Sequence, residues 1–331
     1  MNFEDIFNKK KIIKEPYIAA EIGSNFYQSL DKAYKMIETA AKSGAHAVKF
    51  QLFKTENLYR KGHKLYPLFK SIELNPKWIP KLIECSKDNL VDFFASPFDI
   101  ESADVLLKNS INLFKIASSE ITNFKLINYL AKKNKYLIIS TGMSDFIDIN
   151  NVTKICKKAK NNKVLLLHCF SVYPLPIEHS NLNIIRSLQK KYKLPIGFSD
   201  HTKDEIAALV SVGMNSVFFE KHITLDKNSK GPDHFYALEP KDFKNYCTKI
   251  KKAYLSLGSS QKILLQKEKE EGRREGVYSS RKLYVGEKLK KKDIIFSRPA
   301  LGIRERDVVK YIGKPLKNDI MKNTSLYESD F

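Results

Sequence analysis

Two short runs, PIGFSDHT at 195–202 and SVFFEKH at 216–222, each pass from strand-forming residues into a histidine with a carboxylate close by. A core strand normally ends in turn residues; these end in groups that ligate. If His201 and His222 close neighbouring parallel strands, about 4.8 Å apart, the two imidazoles can share one cation. A ligating imidazole needs its second nitrogen held by a carboxylate or carbonyl, and Asp200, Glu220 and Asp233 are the nearby carboxylates. Two imidazoles completed by oxygen or water suit Mn, Co, Zn or Fe, with Mg where substrate oxygens contribute.

A second chemistry lies in other apolar runs. Lys49 and Gln51 in AVKFQLF are two apart and share a face if the run is a strand. Lys115 and Ser118 sit in NLFKIAS, Ser96 in DFFASPF, Ser140 in YLIISTG and Ser199 in PIGFSDH. Ammonium groups beside hydroxyls make a site for phosphate or carboxylate. For each lysine the plainer reading is an ion pair with a strand-end carboxylate such as Glu21. His168 closes one further run.

These groups need a frame that brings them together. Eight apolar or β-branched runs recur, at 17–23, 47–53, 92–98, 112–118, 136–142, 164–169, 195–201 and 216–222. Helical periodicity separates them, as in SLDKAYKMIETAAKSG, where Gly44 follows the last turn. Near-continuous apolar strands alternating with helices predict a parallel sheet covered on both faces. Eight such units predict a (β/α)8 TIM barrel, with its chemistry at the C-terminal strand ends. An open doubly wound sheet would carry a GxGxxG loop after the first strand, and EIGSNF is not one. The barrel is expected over 1–257, a charged linker over 258–276 and a small β-rich domain over 277–331. That last piece is marginal in size alone, so it is expected to lean on its own barrel or on a partner subunit.

Composition narrows the class. The formal net charge of +21 comes from lysines spread along the chain, without the motifs of a nucleic-acid reader. No apolar run approaches the ~20 residues that span a bilayer, and the N-terminus lacks a signal-peptide core. The four cysteines show no CxxC spacing, so free thiols and a cytoplasmic setting are expected.

Taken together, AEIGSN, AVKFQLF, FFASPFD, FKIASSEITN, IISTGMS, LLHCFSVYPLP, GFSDHT, FEKHITLD and GPDHFYALEP resemble the N-acetylneuraminate (sialic acid) synthase family, which includes the legionaminate and pseudaminate synthases. SRPALGI belongs to a tail that resembles the antifreeze-like (SAF) domain following the barrel in that family. The resemblance implies condensation of phosphoenolpyruvate with an N-acyl mannosamine-type sugar to a nine-carbon 2-keto acid and phosphate. It implies a divalent metal, Mn2+ or Mg2+, on His201 and His222, and a domain-swapped homodimer. Lys49, Ser96, Lys115, Ser118, Ser140 and Ser199 would hold phosphoenolpyruvate, with Glu21 and Gln51 near the reacting carbons and metal. Tyr173, Asp233 and, from the partner subunit, Arg298 would contact the sugar. In place of the family's INHNG or INHEG this chain has SNFYQ, so Phe26 either makes the sugar site more apolar or repacks the loop; Ser171 is a second departure near the sugar. A Schiff-base aldolase with Lys49 or Lys115 as nucleophile and a basic nucleic-acid-binding module are the competing readings.

Overall fold

The computed structural model describes residues 3–8 and 15–331. The chain divides into two compact units, Met1–Gly258 and Ser259–Phe331. In the first, β1 (Tyr17–Gly23), β2 (Ala47–Leu52), β3 (Asp92–Pro97), β4 (Leu113–Ile116), β5 (Tyr136–Ser140), β6 (Val164–His168), β7 (Ile196–Asp200) and β8 (Phe218–His222) form a closed barrel in that order. β8 closes on β1 in parallel register, with Glu21 opposite His222. A helix follows each strand, from Leu30–Lys42 to Pro240–Leu257. This is the (β/α)8 barrel that the alternation of runs predicts.

Local chemistry explains the boundaries. Ser29, Asp99, Asn123 and Asp145 cap the helices that follow them, each side chain accepting from a backbone amide of the first turn. The strand alternation then sorts side chains into two clusters. Outward residues such as Ile18, Ala20, Val48, Phe50, Leu137, Ile139 and Phe219 pack against the helices. Inward residues Tyr17, Ala47, Phe94, Leu113, Ile138, Leu165 and Phe218 fill the barrel at the N-terminal side of the strands. The next inward positions carry Glu21, Lys49, Ser96, Lys115, Ser140, Ser199 and Glu220, so the barrel interior changes from apolar to polar within one step of the pleat.

The short 3-10 helix Phe3–Phe7 stoppers the apolar end. The Phe3 ring lies 5.3 Å from Tyr17, 5.7 Å from Tyr136 and 6.1 Å from Phe218, centroid to centroid. The second unit is a small β-rich body. β9 (Gly276–Ser279) and β10 (Ile294–Ser297) pair antiparallel over a core of Val277, Leu283, Leu289, Ile303, Leu316, Ile320 and Leu326. Its start includes a helix, Gln266–Glu271. Among the described residues no helix is long and apolar enough to cross a membrane, and the four cysteines are free.

Removing the stopper tests the packing account. Phe3→Ala deletes a buried ring from the closed end and should cost the barrel about 3 kcal/mol. The single tryptophan, Trp78, packs on the barrel core, so urea unfolding followed by its fluorescence reports this unit. An unchanged midpoint would remove Phe3 from the core.

Candidate active site

The polar layer of the barrel interior opens into a cavity of about 640 Å3 lined wholly by residues of the first unit. Glu21, Lys49, Gln51, Ser96, Lys115, Ser118, Ser140, Tyr173, Ser199, His201, His222 and Asp233 all reach it. Arg298, the remaining sequence candidate, is exposed in the second unit just beyond β10.

Four buried charges form the floor. Lys49 Nζ lies 3.2 Å from Glu21 Oε2 and 3.1 Å from Glu220 Oε2, and Lys115 Nζ donates to Glu220 Oε1 at 3.2 Å. Ser199 Oγ donates to the same Glu220 oxygen at 3.0 Å, and Gln51 Nε2 donates to Glu21 Oε1 at 2.7 Å. The two ammonium groups are therefore matched by two carboxylates, and the floor is not a purely cationic pocket. Burial alone would raise Glu220, but Lys115 and Lys49 outweigh it and hold this carboxyl well below its usual range. Glu21 goes the other way: burial, reinforced by Glu220 and only partly opposed by Lys49, pushes it up to about 7. A proton on Glu21 leaves the floor one positive charge in excess, ready for an anion.

Hydroxyls complete the floor. The Oγ atoms of Ser96, Ser140 and Ser171 are buried with no partner, a costly arrangement that a bound ligand relieves. Gly142 makes room for this cluster, because a Cβ there would stand 2.6 Å from Ser171 Oγ and 2.7 Å from Ser118 Oγ.

The two imidazoles stand beside the floor with ring centroids 5.9 Å apart. Neither Asp200 nor Glu220 holds them. Instead His201 Nδ1 donates to the backbone carbonyl of Phe170 at 2.6 Å, and Ser199 Oγ lies 3.3 Å from its Nε2. Ser199 has one proton and two acceptors, Glu220 and His201, so a lone pair is left over at the site. His222 Nδ1 is buried without a partner. Burial, aided for His201 by His222 and for His222 by Lys49, lowers both rings to about 3, so both are neutral and keep their lone pairs. Two neutral imidazoles with an unmet nitrogen, one of them, His201, held by a carbonyl through its other nitrogen, fit a divalent cation. Among the described residues no group of three or more His, Cys, Asp or Glu is gathered to hold one, so further ligands would come from water or substrate. Tyr173 lies against both rings, tilted 4.2 Å from His201 and edge-on 5.9 Å from His222, and Tyr236 stands 4.9 Å from each of Tyr173 and His222.

Asp233 lines the cavity wall beside Gly23. Its Oδ1 accepts from Tyr236 at 2.7 Å and its Oδ2 from Ser24 at 3.4 Å. Gly23, at φ +55°, is needed there, because a Cβ would come within 2.8 Å of Asp233 Oδ2.

This fold has known counterparts. The sequence model of the NeuB family matches residues 36–262. N,N'-diacetyllegionaminic acid synthase of Campylobacter jejuni is 37% identical over 325 residues, covering 91% of this chain and 96% of the relative. The chain belongs to the NeuB family. A second enzyme of the same name, from Legionella pneumophila, is 32% identical over 330 residues, with 94% of this chain and 93% of the relative covered. The solved structure of N-acetylneuraminic acid (sialic acid) synthetase from Leptospira borgpetersenii has a TM-score of 0.74 at 33% identity, covering 78% of this chain and 90% of that one. This NeuB-family chain is an enzyme, a transferase of the sialic acid synthase type.

The departures from the family pattern resolve in place. Phe26 is buried and packs on Phe50 with centroids 5.8 Å apart, so it repacks the loop and does not line the cavity. Tyr27 instead lies against His234 at 4.7 Å, with Lys32 Nζ 3.9 Å above its ring, bracing the turn that carries Asp233. His168, grouped with the strand-end residues in the sequence, points away from the cavity and bonds the Ser180 carbonyl at 2.7 Å. Glu220 was legible only as a neighbour of His222; its position two residues earlier on one strand puts it on the same face, and that signal would have placed it at the floor. The apolar rim from Leu58, Leu68, Phe69 and Ile72 belongs to the connection after β2, and no sequence period reveals which of its residues turn inward.

The buried imidazoles give a pH signature. Below about 6.5 the unfolded chain protonates its histidines, whereas folded His201 and His222 resist down to about 3. Stability therefore falls as the pH drops, by roughly 2 kcal/mol per ring at pH 5. Glu21 opposes this: its folded pKa of about 7 against an ordinary 4.5 means that stability is regained as pH falls between those values. In EDTA, denaturant unfolding should show a net loss of stability from pH 7 to pH 5, to which His46, His168 and His234, also held below the ordinary histidine value by burial, add. His222→Asn should flatten that slope; an equally steep slope in the variant would contradict the assignment.

Proposed function

We propose that the protein condenses phosphoenolpyruvate with an N-acylated mannosamine-type amino sugar, giving a nine-carbon 2-keto sugar acid (nonulosonate) and phosphate. The observation that carries this reading is the joining, in one cavity, of a lysine–serine floor with orphaned hydroxyls and a pair of neutral imidazoles. The names of the relatives at 37% and 32% identity support the legionaminate type, whose acceptor is a 2,4-diacetamido-trideoxyhexose. Apolar side chains at the rim, Leu58, Leu68, Phe69 and Phe235, favour that deoxygenated, doubly acylated sugar over N-acetylmannosamine.

In this reading Lys49, Lys115, Ser96, Ser118, Ser140 and Ser199 bind the phosphate and carboxylate of phosphoenolpyruvate, offering charge and directed donors that need no reorganisation during reaction. Gln51, Tyr173 and Asp233 orient the sugar so that its aldehyde carbon faces C3 of the enol. His201 and His222 would hold Mn2+ or Mg2+, which when bound supplies Lewis-acid polarisation of the aldehyde oxygen. C3 bonds to the aldehyde carbon, water adds at C2, and the C2–O bond to phosphate breaks. Glu21, with a pKa of about 7, takes up or returns the proton of that water. Arg298 of a second copy completes the sugar site in a domain-swapped homodimer, the small unit acting as an antifreeze-like (SAF) domain.

The test offers phosphoenolpyruvate and Mn2+ with N-acetylmannosamine, 2,4-diacetamido-2,4,6-trideoxymannose or its altrose counterpart, reading released phosphate. Release is expected with the mannose-configured diacetamido sugar and should stop in EDTA. Borohydride should trap no adduct, which separates this chemistry from a lysine Schiff base. Phosphate from none of the three sugars would overturn the reading. Two variants sharpen it. His222→Ala should lose all metal-stimulated turnover, whereas Arg298→Ala should raise the sugar KM about tenfold, the loss of a charged hydrogen bond, and leave phosphoenolpyruvate binding intact.

A further inference from the structure

Behind the two histidines, on the outward face of the barrel wall, lies a second buried ion pair that the reaction does not use. Asp200 is 1% exposed and Lys221 2%, and Lys221 Nζ lies 3.1 Å from Asp200 Oδ2. The two residues are direct cross-strand partners and form the last rung of the β7–β8 ladder. Each immediately precedes a histidine: Asp200 stands before His201 and Lys221 before His222. By strand alternation the pair faces the helices while Ser199, Glu220 and the imidazoles face the cavity. Asp200 Oδ1 also accepts from the backbone amide of Thr202 at 2.9 Å and from its hydroxyl at 2.7 Å. Lys221 Nζ donates to the Thr202 carbonyl at 2.5 Å. Thr202 follows His201, so the chain is clamped on both sides of that imidazole.

Neighbouring outward positions carry apolar residues, Phe198 and Phe219. A salt bridge in such surroundings contributes little net stability, because desolvating both charges offsets their attraction. Its distinctive property is directional: a buried ammonium and carboxylate tolerate one register, whereas apolar side chains can slide. The geometry points to Asp200 and Lys221 as positioning residues that fix where β7 and β8 end, and thereby the spacing of His201 and His222 as a cation-binding pair. This rests on the metal reading given above, and the experiment separates the two.

Mn2+ alone, titrated into the purified protein and followed by its EPR signal, is the probe. Asp200→Asn with Lys221→Met removes both charges, keeps an acceptor for Thr202 and fills the same space. The double variant is expected to melt within a few degrees of the wild type yet bind Mn2+ about 10- to 100-fold more weakly, the range for losing an outer support of a metal ligand. Its affinity for phosphoenolpyruvate in EDTA should stay within about twofold, because the Lys49–Glu220–Lys115 floor is untouched. Unchanged Mn2+ affinity would overturn the positioning role, and so would an equal fall in both affinities, which marks a general loss of structure. Should the double variant not fold, Lys221→Arg carries the test: it keeps the charge but not the reach, and Mn2+ binding weakened at least about fivefold in a folded protein supports the role, while binding within twofold overturns it. Wild-type protein that binds no Mn2+ would instead overturn the metal reading itself.

Discussion

Glu220 is the interaction on which the site depends. One carboxylate, fully inside the barrel, accepts from Lys115 and Ser199 through one oxygen and faces Lys49 through the other. Without it two ammonium groups would share a water-poor interior with only Glu21 between them, and burial would drive at least one to lose its proton. Lys115 already lies below its ordinary range, because burial outweighs the attraction of Glu220. Such a cluster is a poor source of stability. What it provides is a pair of lysine head groups fixed in place by carboxylate partners.

The cost of that floor is borne by the rest of the barrel. The apolar layer from Tyr17 to Phe218, stoppered by Phe3, lies directly beneath the charged one. Below Glu21 stands Ala19, below Lys49 stands Ala47, and below Glu220 stands Phe218, each two residues earlier on its strand. A pleat that turns every second side chain inward lets one strand serve both layers. The division of labour continues outward, where the faces of the same strands pack on the helices with few polar intrusions, among them His168 and the Asp200–Lys221 pair next to the imidazoles.

Much of this was legible in the sequence for a physical reason. Strand alternation is local, so residues two apart share a face wherever the strand lies; Lys49 with Gln51 and Ser199 with His201 follow from that rule. The eight runs match the eight strands to within a residue or two, because parallel strands covered on both faces must be nearly continuous in apolar residues. The reading failed where partners are non-local. Asp200 and Glu220 looked like supports for imidazoles, yet each is taken by a lysine, and the support that His201 does have is the Phe170 carbonyl. A backbone carbonyl has no sequence signature, and choosing among carboxylates requires knowing which cation lies across the barrel.

The sequence by itself determined the number and order of strands, the face each chemical group presents and the family to which the chain belongs, since these follow from periodicity and from motifs in a fixed order. Tertiary structure alone decided that Phe26 retires into the core while Tyr27 braces His234, that His168 finds the Ser180 carbonyl, and that Glu21 carries a pKa of about 7. Each of those depends on how close distant strands and loops approach and on how much water they exclude, and both quantities exist only once the barrel has closed.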